Sequence, residues 1–264
     1  MSKTGIFVTV LVISIIGRAS QCFSQPDDPF PHVVFLINDD PLNYGATTTI
    51  PGFARELENQ FPCKTTILTS SGPNNRSSFS NLDAIRRADL LVIFCRRIAL
   101  PKNQMDLIKD HFFKGKSIIG IRSANHAFSV RDSLPEGYVD WWNFVPDVLA
   151  CENRGHGPNP EPVRVIRSRD YPRHPLTSDV SFRSWTSSGQ LYRSYPLLDD
   201  QAQVVIEGTT AGQTEPLAWS RISPYDGKVF YSALGEEEDF ANPSFITLLL
   251  QATRWALTDI ASEN

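Results

Sequence analysis

The sequence predicts an α/β fold, a mainly parallel sheet covered by helices on both faces. Three observations carry that expectation. Short apolar runs such as "VVFLI", "LLVIF" and "SIIGI" recur along the first half, as strands buried on both faces should. Segments with helical spacing stand between them, which sets up the βα rhythm of a parallel sheet. No repeat, low-complexity stretch or linker divides the chain, so one domain is expected over residues 30–258.

Taken in order, "HVVFLIND" (32–39) ends in turn residues and reads as the first strand. "IPGFARELENQF" follows, with Phe53, Leu57 and Phe61 on one helical face and Pro51 near the helix start. "CKTTILT" and "DLLVIFC" (89–95) are the second and third strands. "LPKNQMDLIKDHFFKG" has Pro101 at its start, Met105, Ile108 and Phe112 on one face, and Gly115 as a stop. "KSIIGI" is the fourth strand, running into a helix start. The second half is less regular. "YVDWWNFVPDVLACE" reads as a helix interrupted at Pro146, and "EPVRVIRS" and "AQVVIEG" as strands. "EPLAWSRI" and "GKVFYSAL" form a hairpin that turns at Asp226-Gly227. A last helix opens with Asn242 as cap and Pro243 at its first position. Its buried stripe is Phe245, Leu248, Leu249, Ala252, Trp255 and Ala256.

The chain has 264 residues, 41% of them apolar, enough for a substantial core. A net charge of −4 gives no electrostatic reason to expect nucleic acid. Lys3, the apolar run at 6–16, then Gly17, Arg18 and small or polar residues follow the plan of a secretory signal peptide over residues 1–24. The run is too short for a stable membrane span. A secreted or periplasmic protein is expected, with no stable membrane insertion after signal removal. Loss of Cys22 leaves Cys63, Cys95 and Cys151 without a CxxC spacing, so free buried thiols are expected over a single bridge.

In an open parallel sheet ligands bind at the carboxyl ends of the strands. That rule selects Asn38, Asp39 and Asp40, then Cys95, Arg96 and Arg97, then Arg122, Ser123 and His126. Ser123 as N-cap of a following helix, with Arg122 beside it, would make an anion or polyhydroxyl pocket. Plainer roles exist for each. On those readings Ser123 serves only as a cap, Arg96-Arg97 as a solvated pair, Asp39-Asp40 as turn formers before Pro41, and His126 as a packing group. Nucleophilic catalysis lacks its elements: there is no GxSxG elbow, and Ser123 and His126 lie on one turn. His126, His156 and acids such as Asp39 or Glu236 have no HxH or HExxH spacing, so neither a metal nor a cofactor is expected.

The segment ending in "GIRSANHAF" (120–128) resembles the trehalose-utilisation (ThuA-like) family. So do "CENRGHG" (151–157), "RHPLTSDV" (173–180) and nearly all of "EPLAWSRISPYDGKVFYSALGEEEDFANPSFITLLLQATRWAL". The resemblance implies the flavodoxin-like three-layer αβα sandwich of class I glutamine amidotransferases. Those enzymes place cysteine where this chain has Arg122, and they use a late His-x-Glu pair that is missing here. Ammonia-releasing thiol chemistry is therefore not expected. Relatives often carry histidine after the glycine of the late motif, where "ALGEEEDF" has Glu236, and tend to have acids where this chain reads Thr47-Thr48. Carried onto matching positions, the resemblance implies a site of Arg96, Arg97, Arg122, Ser123, His126 and His156, with Glu236 at the substituted position.

Trp141 and Trp142 would be a sugar-stacking wall, although core packing is the plainer role for at least one of them. His174 before Pro175 reads as a turn residue. Three functions follow. The first is an exported protein of carbohydrate utilisation that binds a sugar or sugar-derived acid and acts through acid–base chemistry of His126 or His156. The second is a non-catalytic binding or partner module on the amidotransferase frame. The third is a metal-assisted hydrolase, which needs His126 and His156 to converge.

Overall fold

The computed structural model describes residues 29–157 and 161–258. The expected signal peptide, residues 1–24, lies outside the described residues. Among the described residues twelve strands form: β1 His32–Asn38, β2 Lys64–Ser71, β3 Ser78–Phe79, β4 Leu90–Phe94, β5 Leu100–Pro101, β6 Ser117–Ile121, β7 Tyr138–Val139, β8 Val163–Arg167, β9 Thr186–Ser187, β10 Gln203–Thr210, β11 Gln213–Ile222 and β12 Lys228–Ser232. Ten of them make one sheet in the order β3-β2-β1-β4-β6-β12-β11-β10-β8-β9, and β5 pairs with β7 alone. The middle of the sheet, β2-β1-β4-β6-β12, is parallel. Its flanks are antiparallel.

This is the α/β architecture the apolar runs predict. Every residue of β4 and β6 is buried, as befits strands covered on both faces. Val92 on β4 lies opposite both Phe35 on β1 and Ile119 on β6. That register brings the ends of β1, β4 and β6 to one level, where their loops meet. Helix α1 (Ala46–Gln60) buries Ile50, Phe53, Ala54 and Leu57 and lies beside α3 (Pro243–Leu257), which buries Phe245, Leu248, Leu249, Ala252 and Ala256. The two are joined where Arg254 Nη2 donates to the Gln60 carbonyl at 3.2 Å. Helix α2 (Lys102–Phe113) covers the other face through Met105, Ile108 and Phe112.

Several expectations are met in detail. β11 and β12 form the C-terminal hairpin, closed by Ser223 N–H to Gly227 O at 2.8 Å, with Asp226 at φ 65°. Asn242 caps α3 by accepting from the Ser244 N–H at 2.9 Å, and Pro243 follows at the first position. Cys63, Cys95 and Cys151 are free thiols, the last two buried.

Three expectations need correction. Helix α1 starts at Ala46, not at Pro51, because the loop before it is folded by its own polar side chains. Asp40 Oδ1 accepts from the Leu42 N–H at 2.8 Å, and the Asn43 carbonyl accepts from the Ala46 N–H at 3.0 Å. The chain after β6 does not become an α-helix. Residues Arg122–His126 make one buried 3₁₀ turn, and Ser123 is not a helix cap. The expected helix around Pro146 is replaced by the short β7 and a π-helical turn at Val145–Leu149. There the carbonyls are claimed by side chains of β11: Trp219 Nε1 donates to Leu149 O at 2.7 Å, and Arg221 Nη1 to Asp147 O and Val148 O at 3.1 and 3.2 Å. Carbonyls held this way do not serve an α-helical ladder.

Candidate functional site

The ends of β1, β4 and β6 are tied together by one buried amide. Asn43 Nδ2 donates to Asn38 O, Asn38 Oδ1 and Phe94 O at 3.2, 2.9 and 2.8 Å. Its Oδ1 accepts from the Ser123 hydroxyl. Ser123, fully buried, is therefore a strut between the elbow and the β1 loop. Asn38 extends the network, with Oδ1 accepting from the Arg96 N–H at 2.8 Å. A satisfied buried polar network of this kind rigidifies what it joins.

Arg122 stands at the sharp turn after β6 with φ 45°, a left-handed conformation rare for a residue with a side chain. Its side chain is 2% exposed. Nη1 donates to the Ala233 and Gln190 carbonyls at 2.6 and 3.0 Å, and Nη2 to Glu236 Oε1 at 2.7 Å. The guanidinium also lies over the rings of Tyr192 and Tyr44, at 4.2 and 4.8 Å from their centroids. The two phenols hydrogen-bond each other at 2.7 Å. Arg122 is thus a clamped internal cation, spent on protein groups. Burial raises the Glu236 carboxyl above its ordinary value and Arg122 partly offsets this, while Asp239 and Glu238 push it further up.

His126 is buried, with Nδ1 against Asn125 Oδ1. Asn153 Nδ2 lies 3.4 Å from the same ring nitrogen, so two side-chain amides hold that edge of the ring. Burial, then the charges of Arg97, Arg96, Arg122 and Arg131, push its pKa down to about 3. The ring is therefore neutral near pH 7 and is not a proton donor there.

His156 is exposed and forms a backbone bridge with Tyr192. Its ring stacks on Tyr192 at 6.1 Å, while His126 meets the same ring edge-on at 6.2 Å. The two histidines, distant in sequence, therefore converge on one phenol. Among the described residues, no three His, Cys, Asp or Glu side chains are placed to hold a metal ion.

Arg96 pairs with Asp40 at 3.0 Å, and Asn74 Nδ2 donates to the same carboxylate oxygen at 2.8 Å. Arg97, at φ 52°, reaches the Ser129 carbonyl through Nη1 at 3.0 Å. Asp39 is exposed and makes no side-chain hydrogen bond or ion pair with described residues, so its neighbour Asp40 is the acid built into the rim. Trp141 packs with Phe112, Phe113, Phe128 and Phe144, away from the tyrosine clamp. Trp142 is 54% exposed, its Nε1 donating to Asp140 at 2.7 Å. Sequence reasoning missed Tyr44, Tyr192, Asn43 and Arg131. Tyr192 carries no motif, and only its pairing with His156 brings it to the rim.

A family model described as ThuA, trehalose utilisation, matches residues 48–256. The chain belongs to the ThuA family. Two solved structures share the fold with it. The ThuA-like protein from Bacteroides uniformis ATCC 8492 is 14% identical, with TM-score 0.63 over 92% of this chain and 98% of that one. The ThuA-like protein from Parabacteroides merdae ATCC 43184 is also 14% identical, with TM-score 0.62 over 87% of this chain and 90% of that one. No curated protein matches this chain significantly. Within the ThuA frame, the elbow position carries a neutralised cation. Cys95, behind it, is sealed in the core with its pKa raised by burial, and Cys151 is pushed up to about 12 by burial and Glu152.

Proposed function

We propose that this protein is an exported member of the ThuA family that binds a sugar or sugar-derived acid at the ends of β1, β4, β6 and β12, without amidotransferase activity. The observation that carries the reading is the convergence of His126, His156, Tyr192 and the strand-end arginines on one rim. Imidazole, phenol and guanidinium groups supply the donors, acceptors and ring faces that polyhydroxylated ligands use. The family's description, trehalose utilisation, supports the substrate class. The layout of residues 1–24 supports export. Absence of amidotransferase chemistry is supported by Arg122 at the elbow and by thiols buried in their protonated form.

His126, with its pKa pushed down to about 3, is a weak base and no acid near pH 7, which leaves His156 as the acid–base candidate. Binding without turnover is favoured by the same fact together with the clamped Arg122. Calorimetric titration of the mature protein with disaccharides, monosaccharides and sugar acids tests the proposal, alongside His156→Ala, an exposed position that the fold tolerates. We expect at least one ligand to saturate and the variant to weaken it about tenfold. No saturation across the panel, or binding that ignores His156, overturns the reading. Recovery of the bound sugar unchanged by NMR separates binding from turnover.

A further inference from the structure

Two of the arginines at this rim have no carboxylate partner among the described residues. Arg96, Arg97, Arg122 and Arg131 all act on His126. Two of the four are paired, Arg96 with Asp40 at 3.0 Å and Arg122 with Glu236 at 2.7 Å. Arg97 makes one side-chain hydrogen bond, to the Ser129 carbonyl, and its backbone N–H donates to His126 O at 3.1 Å. This ties it to the segment that leads into Arg131. Arg131 is exposed and forms no hydrogen bond or ion pair with described residues. Asp39, the other acid at the β1 end, pairs with none of the four arginines.

We infer that the ligand of this rim carries an anionic group, a carboxylate or phosphate, held by Arg97 and Arg131. The inference rests on the sugar-binding reading for the rest of the ligand. A guanidinium offers five N–H donors in a planar fork that matches carboxylate and phosphate oxygens two at a time. Arg97 has used one of its donors, and Arg131 has used none on described residues. Arg97 is half-buried in a left-handed backbone and has no carboxylate partner among the described residues. The strongest charges acting on Arg97 are Arg131 and Arg96, both of its own sign. A neutral sugar would hydrogen-bond to these groups and leave that repulsion in place. An anionic sugar removes it, and the neutral His126 beside them adds no further cation to be matched.

The test uses the mature chain and calorimetric titration with four matched probes: glucose, glucuronate, glucose 6-phosphate and inorganic phosphate. Each is run on wild type and on Arg131→Gln, whose position is exposed and whose thermal midpoint should stay at the wild-type value. We expect glucuronate or glucose 6-phosphate to bind about tenfold tighter than glucose. Arg131→Gln should lose about tenfold on the anionic ligand and nothing on glucose. The preference between the two anions identifies the source of the charge. Affinity for glucose equal to that of both anions, no binding of any anionic probe, or an Arg131→Gln variant that keeps full anion affinity each overturns the inference. Glucose binding that survives such a result leaves the sugar reading standing. Inorganic phosphate binding as well as glucose 6-phosphate, and depending on Arg131, supports the anion site and removes the sugar reading.

Discussion

Two buried histidines set how this protein responds to acid. His126 is held neutral with its pKa pushed down to about 3, by burial first and then by the surrounding arginines. His111 on α2 is 3% exposed, with Nε2 at 3.0 Å from the Ser117 carbonyl, and burial pushes it down to about 4. The ordinary value for both is 6.5. As pH falls, the unfolded chain takes up these protons before the folded one does. The stability linked to each ring is complete above 6.5, drains away as pH drops below it, and stops changing near the folded pKa. At pH 5 each ring accounts for about 2 kcal/mol lost, so the pair costs about 4 kcal/mol relative to pH 8. His174, also lowered by burial, adds in the same direction. Urea denaturation followed by tryptophan fluorescence at pH 8 and pH 5 measures the loss. His111→Gln should shrink the difference between the two pH values by about 2 kcal/mol, whatever it does to stability at pH 8. An unchanged difference in that variant would refute the account of His111 as a neutral, desolvated group.

The clamp around Arg122 gives two further expectations. Arg122→Met leaves the Glu236 carboxylate without its partner and should cost about 3–5 kcal/mol, with most of that recovered in the Arg122→Met/Glu236→Gln double variant. Strict additivity in a denaturation cycle would show that the pair is not coupled. A methyl group at Gly189 would lie 2.8 Å from Glu236 Cγ and 3.0 Å from Arg122 Nη2. Gly189→Ala should therefore destabilise by about 1–3 kcal/mol, and a thermal midpoint equal to wild type would contradict the tight packing of that loop.

The sequence makes the parallel half of the fold readable because its strands are buried on both faces and appear as unbroken apolar runs. α2 and α3 are readable because proline, asparagine and glycine mark their ends. The region around Pro146 is not, because its shape depends on Trp219 and Arg221, about seventy residues further along the chain, reaching its carbonyls. The strand-end rule brought attention to Arg96, Arg97, Arg122 and His126, all of which the structure places at one rim. It had no means to separate Asp39 from Asp40, since adjacent residues on a turn point in different directions and only coordinates say which meets Arg96. Ser123 looked like a cap because a helix was expected after β6. Tyr44 and Tyr192 come from loops without periodicity, where pattern reasoning has nothing to count.

The phenol sandwich at the elbow also bears on what another residue at position 122 would meet. A cysteine at position 122 would withdraw the cation from between two aromatic rings and strand a carboxylate. It would also vacate a space that Tyr44, Tyr192 and Glu236 are shaped to fill. Packing as well as charge pairing ties position 122 to arginine.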